Sequence, residues 1–246
     1  MKKQLLSLAL LAAAWLAGGS AQAWDQPTQD ANGVWQLGSV NYVEWYSDYV
    51  DAGNLTAKAV LTADIDYTGQ THTAIGRSDG KKYQGVFDGQ GHRIKNLTMT
   101  GGDVGFFNQV RGEGTVIKNL IIDASCSFEG TGKCAALIAQ PRNGKEITIY
   151  NVVNLASVKS GSGAAGGLVG NRTTPNITAL NMSNCVNAGT VNSTGNSAGA
   201  FVGWVDTKVT AKACYNIGEV QKLDGNKTNL IRNATLSNNT ITNCYD

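Results

Sequence analysis

The sequence predicts an all-β fold: a parallel β-helix, or β-solenoid, of about six coils with an N-terminal capping helix. Three observations predict it. A box of small and apolar residues, called here the glycine box after its clearest copies, returns every 29 to 33 residues. Asparagine-centred elements recur with the same spacing, and the segments between them are short. Repeats of about 20–50 residues are typical of solenoids and arrays. Short alternating or β-branched runs are typical of strands rather than helices.

Residues 1–23 have the features of a secretory signal peptide. Lys2 and Lys3 precede an uncharged apolar run, and Ala21-Gln22-Ala23 supplies a small-x-small cleavage site. The apolar run is too short to span a bilayer. We therefore expect an exported protein, located outside the cell, on its surface or in the periplasm, with no membrane insertion of the mature chain from Trp24 onward.

The charge balance argues against one class of partner. Only 15% of the residues are charged, and cleavage would remove two lysines and leave equal numbers of basic and acidic residues. Nucleic-acid binding depends on an excess of Lys and Arg that neutralises phosphates. No nucleic-acid partner is expected.

Residues 24–54 are predicted to form an N-terminal cap that includes an amphipathic helix. The helix over 40–51 can begin after Ser39 or Asn41, and Gly53 can end it in a left-handed turn. Its apolar and aromatic side chains share one arc, and its polar side chains share the other. The apolar arc contains Tyr42, Val43, Trp45, Tyr46, Tyr49 and Val50, and the polar arc contains Asn41, Glu44, Ser47, Asp48 and Asp51. We expect the apolar arc to cover the first coil.

Residues 55–246 are predicted to form the solenoid. The glycine boxes centre on Phe106, Leu137, Leu168, Phe201 and Leu230. A second element occupies 94–97, 117–120, 149–152, 182–185, 212–216 and 241–246, and a third begins at Asn154, Asn187 and Asn216. Stacked parallel strands lie about 4.8 Å apart. The repeated asparagines Asn119, Asn151, Asn184 and Asn243 are therefore predicted to form ladders or to bond corner backbone.

Two of these motifs resemble a known repeat. The box Gly166-Gly167-Leu168-Val169-Gly170, followed by Asn-Cys-x-Asn-x-Gly-x-Val over 184–191, is similar to the GLUG repeat of bacterial surface proteins, and 60–97 resembles its usual lead-in. The resemblance implies a β-solenoid in an adhesin-like protein. Such repeats also occur beside the peptidase domain of some secreted IgA-cleaving metallopeptidases. Those enzymes need His-Glu-x-x-His for zinc, which this sequence lacks, so peptidase activity does not carry over.

Five cysteines remain in the exported chain, an odd number. Cys185, Cys214 and Cys244 occupy equivalent repeat positions and are predicted to form an interior column of free thiols. Disulfide pairing within that column is the alternative, because adjacent coils bring Cα atoms within bridging range. Cys126 and Cys134 flank a glycine-rich loop and are the pair better suited to a disulfide.

Three side-chain groups are candidates for function, and each also has a structural interpretation. An aromatic group suits sugar stacking, but its helical periodicity favours core capping. Asp64, Asp66 and Asp88 carry the oxygens that calcium binds, yet carboxylates of this kind also bond turn backbone. His92 lies in a turn between two strands, where we predict no catalytic role. The aromatic group comprises Trp24, Trp35, Trp45, Tyr46 and Tyr49.

The sequence favours an exported, non-enzymatic surface, adhesion or ligand-binding module, whose partner is a polysaccharide or a host or bacterial surface protein. No catalytic, cofactor-binding or metal-binding residue is predicted. One alternative is a carbohydrate-active enzyme, a polysaccharide lyase or glycoside hydrolase, whose paired carboxylates line a groove. Its candidate acids are Asp88, Asp103, Glu113 and Asp123. Another is a structural fragment of a larger repeat protein. Because no second cap is predicted, we also expect self-association through the C-terminal coil.

Overall fold

The computed structural model describes residues 24–171, 177–195, 197–205, 208–222, 229–233 and 239–245. The predicted signal peptide, residues 1–23, lies outside the described residues. The described chain is mostly β, with one α-helix and a parallel β-solenoid. The predicted fold class is confirmed.

The helix α1 spans Val40–Asp51, and a short 3₁₀ helix spans Asp79–Lys81. The strands are β1 (Trp35–Leu37), β2 (Ala59–Leu61), β3 (Ile65–Asp66), β4 (Val86–Asp88), β5 (Arg93–Lys95), β6 (Thr98–Gly101), β7 (Phe107–Ile122), β8 (Ser127–Gly130), β9 (Cys134–Ala135), β10 (Ile138–Asn154), β11 (Ser157–Ser160), β12 (Ala164–Gly166), β13 (Val169–Asn171), β14 (Ala179–Ser183), β15 (Val186–Asn187), β16 (Val191–Ser193), β17 (Ser197–Val205), β18 (Lys208–Lys212), β19 (Tyr215–Asn216), β20 (Val220–Lys222), β21 (Asn229–Asn233) and β22 (Thr240–Thr242).

These strands form two parallel sheets. One sheet has 17 strands, and the other, which we call the small sheet, contains β6, β8, β11, β16 and β20. In the large sheet Ile117 pairs with Ile149, and Ile149 pairs with Met182. In the small sheet Phe128 pairs with Val158. Each strand therefore packs on its copy one coil away, as the repeat spacing predicts.

The five strands of the small sheet define five complete coils among the described residues, compared with the six or so predicted. The difference arises at the N-terminal side. There the large sheet continues to β2 and β1. The coil that contains β2 makes a turn at Thr68 and Gly69 and has no strand over residues 67–74, where later coils have a small-sheet strand.

The glycine boxes place their central apolar side chains in the core. The fully buried centres are Phe106, Leu137, Leu168 and Phe201. At Gly167 the backbone of the next coil approaches closely enough to exclude a side chain. A Cβ atom on Gly167 would lie 2.2 Å from the Ala200 carbonyl oxygen and 2.5 Å from Asn187 Oδ1. The glycine box and the third repeated element are thus in direct contact.

The third element forms a buried asparagine ladder. Asn154 Nδ2 donates to Asn187 Oδ1, and Asn187 Nδ2 donates to Asn216 Oδ1, both at 2.8 Å. The Nδ2 atoms of Asn154 and Asn187 also donate to the carbonyl oxygens of Ala156 and Gly189, two residues further on. These bonds satisfy polar groups that would otherwise be costly to bury.

The second element turns the outer corners. Asn119, Asn151, Asn184 and Asn243 have φ between 51° and 53°, in the left-handed region, which asparagine adopts more readily than most residues. Asn151 Nδ2 donates to Asn119 Oδ1 at 3.0 Å. The predicted ladder is confirmed for Asn119 and Asn151, and all four asparagines occupy left-handed corners. Ala213 has the same conformation, with φ of 51°, without an asparagine side chain.

The ends of α1 agree with the prediction. Ser39 Oγ accepts a hydrogen bond from the Tyr42 backbone N–H at 3.4 Å, which makes Ser39 the N-cap. Gly53 follows the helix with φ of 115°. Within the described part of the chain, no helix has the length and apolar character needed to cross a bilayer.

The buried face of α1 differs from the predicted arc. Glu44 and Ser47, assigned to the polar arc, are fully buried, whereas Trp45 and Tyr49 are only half-buried. The reason is that the first coil offers polar partners: Ser47 Oγ donates to the Thr73 carbonyl oxygen at 2.7 Å. Hydrogen bonding, as well as apolar area, decides which face of the helix meets the solenoid.

Candidate functional site

The outward face of the small sheet carries two columns of polar side chains. They arise because successive side chains of a strand point to opposite faces of the sheet. Phe128, Val158 and Val191 point inward and are buried, so their neighbours in sequence face solvent. The columns are Thr98, Ser127, Ser157, Thr190 and Glu219, and beside them Thr100, Glu129, Lys159, Asn192 and Gln221.

An open hollow of about 300 Å³ lies against these columns and is lined by residues from 127 to 221. Lys159 Nζ lies 2.6 Å from Glu129 Oε1, and both side chains are at least half exposed. Gln221 donates to Glu219. Asn192 Oδ1 is buried and has no hydrogen-bond partner among the described residues. The hollow therefore presents hydroxyl, amide, carboxylate and ammonium groups.

The aromatic group lies at the cap. Trp35 and Tyr46 are buried, and Trp24, Trp45 and Tyr49 are half-buried. The rings of Trp45 and Tyr49 stack 4.9 Å apart, and Trp35 packs against both. This packing agrees with core capping. An open hollow of about 280 Å³ lies beside Trp35 and Tyr49.

The carboxylates considered for calcium are bonded to other groups. Asp64 Oδ2 lies 2.6 Å from Lys95 Nζ, and Asp66 Oδ1 accepts from Asn96 Nδ2 at 2.8 Å. These hydrogen bonds lower the pKa of both Asp64 and Asp66 to about 2. Asp88 is buried in a hydrogen-bonded corner. Among the described residues, no three His, Cys, Asp or Glu side chains are placed to hold a metal ion.

The acids considered for an enzymatic groove contact separate partners. Asp88 lies 3.1 Å from Lys118, Asp103 2.6 Å from Gln140, Glu113 3.1 Å from Arg111 and Asp123 2.8 Å from Arg93. None of the four belongs to the described lining of the hollow over the small sheet. His92 Nδ1 lies 3.4 Å from Asp64 Oδ1. The structure does not bring these side chains together into one site.

A buried polar cluster joins α1 to the first coils, and the sequence analysis missed it. Glu44 Oε1 lies 2.5 Å from His72 Nδ1 and accepts from the Tyr67 hydroxyl at 3.0 Å. Glu44 Oε2 accepts from the Thr73 backbone N–H at 2.8 Å. His72 Nε2 lies 3.0 Å from the Phe106 carbonyl oxygen. The Glu44 and His72 side chains are completely buried.

Both ring nitrogens of His72 face oxygen atoms: Nδ1 faces the Glu44 carboxylate and Nε2 faces the Phe106 carbonyl oxygen. Burial by itself raises the pKa of Glu44. The hydrogen bond and charge of His72, with the bonds from Thr73 and Tyr67, outweigh burial and lower this pKa below its ordinary value. The cluster is a buried ion pair that fastens the cap. One feature of the sequence could have indicated this burial. Glu44 and Ser47 lie on the same helical face as the apolar residues Val40, Val43 and Val50.

The cysteine column is present, and its thiols are free. Cys185 and Cys214 are fully buried, and Cys244 is partly exposed. Cys126 and Cys134, the pair better suited to a disulfide, are also free and buried in this structure. Their thiols donate to different carbonyl oxygens, those of Ile94 and Gly132.

The fold and the polar hollow define a parallel β-solenoid with an outward polar face. No model of a known protein family matches the chain, and no curated relative matches it. A solved structure described as "a putative immunoglobulin A1 protease from Bacteroides ovatus" is similar, with a TM-score of 0.68 and 17% sequence identity. The match covers 91% of this chain and 78% of that chain. At this identity the likeness shows a shared fold alone.

Proposed function

We propose that this chain is an exported, non-enzymatic binding module that holds a polysaccharide on the outward face of the small sheet. The observation that carries the proposal is the hollow lined by two polar columns. Rungs about 4.8 Å apart repeat hydroxyl and amide groups at a short, regular interval. A polymer that carries hydroxyl groups on every unit suits such a surface. The signal-peptide pattern and the GLUG-like repeats support export to a surface setting.

The chemistry of the face favours a polysaccharide over a protein partner. Stable protein interfaces have an apolar or aromatic centre with a polar rim. Here the outward side chains of both columns are polar from Thr98 to Gln221. A protein that covered them would have to desolvate many polar groups. Each sugar hydroxyl can instead replace a water molecule that is hydrogen-bonded to one of these groups.

The spacing of carboxylates supports binding without hydrolysis. Glu129 lies on β8, and Glu219 lies next to β20, three rungs away. At about 4.8 Å per rung, the backbones at these positions are about 14 Å apart. Retaining glycosidases hold their two carboxyl groups about 5–5.5 Å apart, and inverting ones about 6.5–9.5 Å. The two acids of the hollow thus fit neither arrangement.

The test uses the full chain, expressed with its leader and recovered after export, on a panel of immobilised polysaccharides and matrix proteins. We expect saturable retention on a polysaccharide and no sugar released into the wash. Release of sugar would establish the enzyme alternative instead, and retention on proteins alone would contradict a glycan-binding face. The mass of the recovered chain checks cleavage before Trp24.

Variants locate the site. Asn192→Ala and Lys159→Ala, each in the hollow, should weaken retention several-fold, whereas Lys212→Ala, an exposed lysine on the large sheet, should not. If Lys159→Ala and Lys212→Ala weakened retention equally, the outward face of the small sheet would be excluded as the binding site. Sedimentation velocity on the same samples tests the self-association that the exposed Tyr215, Ile217, Ile241 and Tyr245 side chains favour. A monomer at all concentrations would reject that part of the proposal.

A further inference from the structure

The three cysteines of the column occupy successive rungs in the same orientation. Val186 pairs with Tyr215, and Tyr215 pairs with Tyr245, so the cysteine that precedes each of them shares this register. Each thiol donates to the carbonyl oxygen two residues before it: Cys185 at 3.3 Å, Cys214 at 3.5 Å and Cys244 at 3.4 Å. Adjacent rungs place Cα atoms about 4.8 Å apart, inside the range of about 4.4–6.8 Å seen in disulfides.

The thiols of Cys214 and of its two neighbours in the column, Cys185 and Cys244, are close enough to shift one another's pKa. Cys244 Sγ in addition accepts from the Cys214 backbone N–H at 3.4 Å. Cys185 and Cys214 are fully buried, and Cys244 is partly exposed. Cys244 is therefore the member of the column that a reagent in solution can reach, and Cys214 lies directly behind it.

We propose that Cys214 and Cys244 form a reversible disulfide that joins the last described coil to the coil before it, while Cys185 stays a thiol. Cys214 can bond to only one neighbour. The accessible neighbour is Cys244, so it reacts first. The oxidising exported environment in which disulfides persist is the setting that the signal-peptide pattern predicts.

The oxidant is an organic disulfide of the glutathione class, and the exchange has two steps. The Cys244 thiolate attacks one sulfur of the oxidant, forms a mixed disulfide and releases one thiolate. The Cys214 thiolate then attacks the Cys244 sulfur, forms the internal disulfide and releases the second thiolate. The two cysteines lose two protons and two electrons in total, and the oxidant becomes two thiols.

The surroundings of Cys214 suit the second step. The neighbouring Cys185 thiol outweighs burial and lowers the pKa of Cys214 to about 7. Burial raises the pKa of Cys244. Cys185 is thus a positioning residue that prepares Cys214 as the nucleophile. Without it, a lower thiolate fraction, offset in part by higher nucleophilicity, should slow ring closure about threefold at pH 7.

The test starts from the full reduced chain, recovered after export and incubated with oxidised glutathione at pH 7. We expect two of the five thiols to disappear, with the loss of two hydrogens in intact mass and no dimer. Tryptic mapping without reduction should join the peptide 213–222 to the peptide 233–246. A bond that involves Cys126, Cys134 or Cys185, or five thiols that persist, would overturn the proposal.

Variants separate the two steps and remain informative if one of them folds poorly. Cys214→Ser should accumulate one glutathione on Cys244 and form no internal bond. Cys244→Ser should keep four thiols. Cys185→Ala should still form the bond, about threefold more slowly. Cys126→Ser, which lies outside the column, serves as the control and should behave like the wild type. An internal disulfide in Cys214→Ser or in Cys244→Ser would refute the assignment.

Discussion

The Glu44→Ala substitution tests how the cap is fastened to the solenoid. It removes the carboxylate that faces His72 Nδ1 and accepts from the Tyr67 hydroxyl and the Thr73 N–H. Breaking a buried ion pair by removing one partner costs about 3–5 kcal/mol. A whole domain is stable by about 5–15 kcal/mol. We therefore expect α1 to lose most of its attachment to the first coil.

The assay combines urea unfolding with native-state hydrogen exchange. Solenoids unfold by neighbouring units, so the loss should be concentrated in the amides of α1 and of the coils around Tyr67 and Thr73. Asp48→Ala on the same helix is the matched control. Asp48 is half exposed and contacts Arg77, and such a surface pair contributes about 0–1 kcal/mol. A loss in Glu44→Ala no larger than that in Asp48→Ala would refute the ion-pair interpretation.

The same cluster predicts a dependence on pH. The pKa of Glu44 in the folded chain lies below its ordinary value of about 4.3, so the unfolded chain takes up this proton first as pH falls. The stabilisation by the Glu44 carboxylate is thus complete above about pH 4.3 and is lost as pH falls through the lowered folded value. We expect the stability difference between the wild type and Glu44→Gln to shrink over that window. A difference that stays constant down to pH 3 would contradict it.

The remaining predictions concern the ladder, a corner and the hollow. Asn187→Ala removes both amide bonds to the neighbouring rungs and should cost about 1–3 kcal/mol in urea unfolding; an unchanged midpoint would show that the ladder contributes little. Ala213 has a left-handed backbone conformation, which asparagine adopts more readily than alanine. Ala213→Asn should therefore raise the free energy of unfolding by about 0.5–1 kcal/mol. A decrease would contradict the role assigned to asparagine at the corners. Lys159→Ala should leave the thermal midpoint nearly unchanged while it weakens polysaccharide retention.

Much of the fold follows from the sequence because a solenoid repeats its contacts. The periodic boxes required Phe106, Leu137 and Leu168 to be equivalent, and the structure places all three in one buried column. The corner asparagines were predictable for the same reason, since each recurs with the coil. The coil count was less predictable, because the turn at Thr68 that replaces a strand follows no repeat.

The contacts that sequence reasoning missed occur only once in the chain. Glu44 meets His72, 28 residues away, and no repeat or motif signals such a pair. A carboxylate on a helix is usually solvated, so the helical wheel assigned it to the outer arc. The polar columns of the small sheet were hidden for a different reason. Each strand contributes only two or three outward residues, and their alignment depends on the register between coils.

The asparagine ladder also limits how the gene that encodes this protein can change in length. Asn187 is bonded to Asn154, 33 residues before it, and to Asn216, 29 residues after it, by the same pair of atoms at the same distance. Duplication or deletion of one whole coil therefore joins equivalent partners again. A single inserted residue within a strand would instead turn the following side chains of that strand to the opposite face. Unequal recombination between coils is thus one route by which such a protein can lengthen or shorten and keep its ladder.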